Sequence, residues 1–365
     1  MIEFSIWFIF LASSYFLILF LFLGFSNRKE KYNNIVGFVA LFFVFINLLL
    51  ILFLIFQDLS SHLDLMPLWN LTLGLPILIF GLVALVSSLL GYLYKVLFKS
   101  RNLNSFIIKM EQKVKERSKS KNDLYRKIPH VLIFIGIFIL WLIGVYIIYL
   151  TTGSNEGMIP YENNMLYLYL QLITTPNVIR NVLFALGWFY YLLFFFFYGF
   201  AILMLINEFT RKSQFFSFPF NILCTIFLNK EEKQGYGTYL YFGIGHMFAA
   251  FLCPPMVFFS ILGISSIADL VASQIGIRYG RTTIKFNKKK TWEGTIAGSI
   301  ATFFIGFLFL GLIWASMFTL IFIFIDILTN RPINVSDNLL NPIVLSIIYF
   351  FIRFIFNLNY YTIII

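Results

Sequence analysis

Apolar stretches long enough to cross a bilayer recur along most of this 365-residue chain, and they restrict its fold more than any other feature. A helix needs roughly 20 such residues to cover the hydrocarbon core. Runs of this kind occupy about 4–25, 35–56, 68–98, 130–150, 179–206, 236–252, 254–277 and 342–360. Pro254 and Pro255 separate two of them, and paired prolines cannot continue a helix, so a tight turn is expected there. The run 293–328 is too long for one helix and short for two, and a hairpin is the favoured reading. The expected fold is an all-α integral membrane protein, a polytopic bundle of about 8–10 transmembrane helices. Composition agrees, since 60% of residues are hydrophobic and only 12% charged, against about 25% charged in a soluble domain.

Lys and Arg outnumber Asp and Glu by 27 to 16. In a membrane protein such an excess reports loop orientation, so nucleic acid is not implied as a partner. Basic residues fill 26–34, 99–129, 207–235 and 278–290, while 57–67 and 151–178 contain none. Basic and neutral loops therefore alternate, which predicts cytoplasmic basic loops and an external N-terminus. The run after Met1-Ile2-Glu3 lacks a basic leader and a small-residue cleavage site, so it reads as a span. Cys224 and Cys253 then fall on opposite sides, which argues against a disulfide.

The longest polar piece, within 99–125, reads as a basic cytoplasmic linker along an anionic membrane surface. It divides an N-terminal three-helix region, 1–98, from a second membrane domain, 126–365, that carries the chemically informative residues.

Asp269 stands inside an apolar segment, where a carboxylate costs a few kcal/mol unless it faces protein, cation or water. Ser265, Asp269, Ala272, Ser273, Gly276 and Gly280 recur every three or four residues and make one face of small side chains. That face suits close helix packing. Gly280 is expected to end the helix, and Arg278, Arg281, Lys285, Lys288, Lys289 and Lys290 follow. Thr291 is a candidate N-cap for the next helix, with Glu293 in its first turn, where the dipole favours an anion. The same arrangement suits a polyphosphate: lysines neutralise it, and helix-terminal N–H groups point toward it. Asp269 and Glu293 are candidate Mg²⁺ ligands, because Mg²⁺ commonly takes one or two carboxylates plus phosphate oxygens. Arg126, Lys127 and His130 enter an earlier span on the same face, with Pro129 expected in its first turn. Glu208 and Arg211, three apart, read as a helix-surface ion pair.

These residues resemble the signature of CTP-dependent polyprenol kinases, the group that includes dolichol kinase, phytol kinase and the CTP-dependent diacylglycerol kinase of fungi. The matching positions are Asp269, Gly276, Gly280, Lys289, Lys290, Thr291, Glu293 and Gly294. Two flanking pieces extend the likeness: Arg126, Lys127 and His130 in "RKIPH", and Asp337, Asn338 and Pro342 in "SDNLLNPIV". "GTYLYFGIGH" is similar to a further helix of that group, and the whole covers roughly 122–345. Ala268 stands where the group usually has Gly before the helical Asp.

The resemblance implies transfer of the CTP γ-phosphate to a membrane lipid alcohol. Asp269, Glu293 and His130 would be catalytic. Asp269, Glu293 and Asp337 would hold Mg²⁺. Lys289, Lys290, Thr291, Gly294, Arg126, Lys127 and Asn338 would contact the nucleotide. Two other readings compete. Phosphatidate cytidylyltransferases are a neighbouring CTP-using group, but their His-Gly-Gly is missing here, where the histidines are His62, His130 and His246. A transporter fits the intramembrane acid, although the charged residues cluster on one side.

Overall fold

The computed structural model describes residues 116–153, 236–329, 335–361 and 363, with scattered positions within 86–113 and 193–232. The expected spans 4–25 and 35–56, and most of 68–98 and 179–206, lie outside the described residues. So do Arg211 and Cys224. Apolar helices dominate what is described. Four helices among the described residues are long and apolar enough to cross a membrane, and two shorter ones accompany them. The molecule is a mostly helical, multi-pass membrane protein.

The chain divides into two compact units. In the unit made of Met1–Arg117 and Phe195–Ile244, Phe197, Tyr198, Tyr241 and Phe242 are buried. Glu208 belongs to that core. It is fully buried and accepts the Gly237 N–H (3.0 Å) and the Tyr239 hydroxyl, so it is not the surface residue that its position suggested.

The other unit, Ser118–Phe194 with Gly245–Ile365, holds Asp269, the cationic segment and the motif residues at 126–130 and 337–342. Helix α1, Lys119–Thr152, starts at Ser118, whose hydroxyl accepts the Lys121 N–H, and stops at Gly153 with φ 67°. The span was expected to open near Pro129, yet Pro129 lies inside the helix. The reason is tertiary. The first turns of α1 are tied by Ser120 and Asp123 to Gln274 and Ser273 of another helix, and those contacts outweigh the local cost of an internal proline. Residues 119–125 of the expected linker are therefore helical.

Helix α2, Thr238–Leu252, ends before Pro254 and Pro255, and α3, Pro255–Gly263, begins with a proline at its start, as the paired prolines predict. A single π-helical turn, Ile264–Ala268, joins α3 to α4, Asp269–Tyr279. There the Asp269 N–H bonds to the Ile264 carbonyl, five residues back. The strands β1, Thr283–Ile284, and β2, Asn287–Thr291, form an antiparallel hairpin from the cationic segment. Helix α5, Trp292–Leu310, and α6, Leu312–Leu328, turn on Gly311 (φ 83°), so the run 293–328 is a helical hairpin. Helix α7, Asp337–Phe356, is capped by Ser336. The tail returns over the α5–α6 turn, where Tyr361 and Ile363 donate to the Leu310 and Leu308 carbonyls at the end of α5.

Aromatic residues bind these helices. Phe134, Phe138 and Trp141 of α1 meet Phe259 of α3 with ring centroids 5.6 to 6.5 Å apart. Leu132, Ile139, Leu142, Ile143 and Tyr146 on the remainder of α1 are exposed, as a lipid-facing surface requires.

Candidate functional site: a charged cluster at one end of the helices

Small residues set the seam that positions the site. A methyl group on Gly294 of α5 would stand 2.7 Å from the Ala272 carbonyl and 3.0 Å from the Gly276 Cα of α4. The two backbones therefore touch, and the small-residue face read from the sequence is a packing face. Thr291 is the N-cap of α5, its hydroxyl accepting the Gly294 N–H at 3.3 Å. Gly280 ends α4.

Close approach at this seam brings the charges together. On α1, Ser120, Asp123 and Lys127 occupy one face and meet α4 in a ladder. Ser120 contacts Gln274 (2.8 Å), Asp123 accepts from Ser273 (2.6 Å) and Gln274 (3.0 Å), and Lys127 meets Asp269. The Lys127 ammonium lies 2.7 Å from the Asp269 carboxylate and also donates to the Asp269 backbone carbonyl at 2.9 Å. Asp269 is only 5% exposed, and its charge has a partner, as its depth demands.

The hairpin supplies the second ammonium. Asn287 is buried in β2 and donates to the Ile327 and Thr329 carbonyls, 2.9 and 2.6 Å away, at the end of α6. This clip anchors the hairpin and sets the direction of Lys290, three residues on. Lys290 stands 2.6 Å from Asp326 of α6 and 3.2 Å from Asp337 of α7. Asp326 also accepts the Thr295 hydroxyl of α5 at 2.6 Å. Burial works against the charge of Lys290, but the carboxylates of Asp337, Asp326 and Asp269 outweigh it and hold the ammonium above the ordinary lysine range. The cluster contains two ammonium groups and three carboxylates, with the Arg126 guanidinium nearby. His130 lies within electrostatic reach of Lys127, Arg126, Asp337 and His246.

The structure thus brings together Asp269, Lys127, Lys290, Asp337 and His130. Arg126 is half-buried near them. Lys289 is exposed on β2. Glu293 takes another place: its carboxylate accepts the Thr282 N–H at 3.0 Å and holds the chain that leads into β1. Asn338 is buried, with its backbone N–H bonded by Ser336 and Asp337. Among the described residues no group of three or more His, Cys, Asp or Glu side chains is arranged to hold a metal ion. Asp326 was missed from the sequence. It stands in "FIFIDIL", a carboxylate in an apolar run, so the depth argument that picked out Asp269 applies to it equally.

One turn deeper than Asp269, Ser265 and Ser266 in the π-helical turn are buried, and their hydroxyls have no hydrogen-bond partner among the described residues. Turns of this type are frequent at functional sites. No family model matches the chain, and no curated protein or solved structure matches it.

Proposed function

We propose that this protein is a lipid kinase that transfers a phosphoryl group from a nucleoside triphosphate to the hydroxyl of a membrane lipid alcohol, with CTP as donor. One observation carries the reading: Lys290 draws Asp326 and Asp337 together beside the Lys127–Asp269 pair, at the end of the helices that bears the cationic hairpin. Phosphoryl transfer asks chiefly for positioning and charge neutralisation, which suits this equipment. The choice of CTP and of a polyisoprenoid alcohol rests on the resemblance of the motifs.

In this reading the exposed Lys288 and Lys289 attract the triphosphate, and Lys127 and Lys290 exchange a carboxylate for phosphate oxygens. The lipid hydroxyl arrives from the bilayer past Ser265 and Ser266. Its proton passes to Asp269 as its oxygen bonds to the γ-phosphorus, and the bond to the β-γ bridging oxygen breaks, releasing the nucleoside diphosphate. With Lys290 turned to phosphate oxygens, Asp326 and Asp337 would be left to hold Mg²⁺, which commonly takes one or two carboxylates plus phosphate oxygens. Bound there, Mg²⁺ would neutralise developing phosphate charge. Glu293 acts by positioning the hairpin. The site faces the cytoplasm in this reading, because its loops are the basic ones.

The test uses purified protein with Mg²⁺, each of four γ-labelled nucleotides and a panel of lipid alcohols. Label from CTP should enter the lipid. Release of pyrophosphate with formation of a CMP-lipid would assign the protein to the cytidylyltransferase class instead. Absence of any nucleotide-dependent lipid product would overturn the proposal.

A further inference from the structure

At the end of α7 remote from Asp337, a buried cation lacks a counter-charge among the described residues. Arg353 lies in the last turn of α7 and is 8% exposed. Its Nε and Nη1 have no hydrogen-bond acceptor among the described residues, and no carboxylate there pairs with it. A guanidinium cannot lose its charge in a protein, so burial is not relieved by deprotonation. The charge needs an anion.

The titratable groups beside it among the described residues are two phenols and a thiol. Tyr349, one turn earlier on the same face, is buried, and its hydroxyl also has no partner among the described residues. The left-handed Asn357 (φ 48°) turns the chain back, which sets Tyr360 6.5 Å from Tyr349, ring to ring. Trp314 packs on Tyr349 at 4.8 Å and fastens the returning chain by donating to the Asn359 carbonyl at 3.1 Å. Burial pushes the Tyr360 phenol above its usual range even beside Arg353, so it remains a neutral donor and not a phenolate partner. Cys253, the nearby thiol, is protonated for the same reason.

We propose that Arg353, with the hydroxyl of Tyr349, binds an oxyanion of the phosphate class at this end of the bundle. The depth is right for a lipid headgroup. Helix α7 has 20 residues, enough to cross the hydrocarbon core, which places its last turn at the headgroup level. Phe351, Phe354, Ile355 and Phe356 around Arg353 are exposed and apolar, a surface that acyl chains would cover. Free phosphate and a lipid phosphate present the same chemistry to the guanidinium. The site is distinct from the acidic cluster, and the proposal does not depend on the kinase reading.

The experiment follows thermal unfolding of the full chain in neutral detergent, with dioctanoyl phosphatidic acid, inorganic phosphate or dioctanoyl glycerol added. Phosphatidic acid should raise the midpoint by about 5 °C, while the phosphate-free glyceride should not. An equal response to inorganic phosphate identifies a free anion as ligand, and a response to the lipid alone identifies a headgroup; either supports the site. Arg353→Gln should abolish the shift, Tyr349→Phe should reduce it, and Asp269→Asn should leave it intact. The proposal falls if neither anion shifts the wild type, or if Arg353→Gln responds as the wild type does. It falls equally if Asp269→Asn removes the response. Should Arg353→Gln not fold, Tyr349→Phe decides, and an undiminished shift in that variant is fatal.

Discussion

Lys290 stands between the buried Asp326 and the partly exposed Asp337, so its loss leaves two carboxylates facing each other without the shared ammonium. Removing one partner of a buried pair typically costs 3–5 kcal/mol. Lys290→Met should therefore lower stability by about 3 kcal/mol, measured by chemical unfolding in detergent, and adding Asp326→Asn should recover part of that loss, since the two positions are in contact. The pH dependence has a definite sign. A lysine whose folded-state value is raised contributes stability that is complete below the ordinary lysine value and is lost as pH climbs through the raised one. The Lys290 contribution should stay level from neutrality to about pH 10 and decline only beyond it. Unfolding curves across that window would show this, and a midpoint falling between pH 7 and 9 only when Lys290 is present would contradict it. Asp269→Asn retains the shape of the side chain and should abolish lipid phosphorylation while membrane insertion persists. Full activity in that variant would remove Asp269 from the mechanism.

Two glycines on different helices separate packing from propensity. Gly294 sits where an added methyl meets backbone, 2.7 Å from the Ala272 carbonyl, so the helices must part to admit it. Gly136 on α1 has nothing within 4 Å of the same added atom. Gly294→Ala should destabilise by about 1–3 kcal/mol, whereas Gly136→Ala should be neutral or gain up to about 1 kcal/mol in helix propensity. Thermal unfolding of the two variants side by side checks this, and equal effects would refute a backbone seam between α4 and α5. Thr291→Ala should cost about 1 kcal/mol through loss of the cap. Helix ends were readable at Thr291, Gly280 and Pro255 because capping is local chemistry. The start of α1 was not readable, because it depends on Asp123 and Ser120 reaching Ser273 and Gln274 more than a hundred residues away.

The reversal at Gly311 puts the beginning of α5 and the end of α6 at one end of the Ser118–Phe194 and Gly245–Ile365 unit, with the start of α7 beside them. The returning tail, at Tyr361, lies against the other end of α5. With Cys224 and Cys253 replaced, an impermeant maleimide should label Lys288→Cys and Tyr361→Cys from opposite sides of the membrane, both positions being exposed. Labelling of both from one side would mean that α5 does not cross.

Class and end points were set by properties that each residue carries alone: apolar length demands spans, prolines and caps stop helices, and a carboxylate among Phe and Ile demands a partner. Which partner was decided by packing. Lys127 lies 142 positions from Asp269, and Lys290 lies 36 and 47 positions from Asp326 and Asp337. Nothing in the local spacing selects these pairs, because the bond between them exists only after Gly294 and Gly276 have let two helices touch and Asn287 has fastened the hairpin to α6.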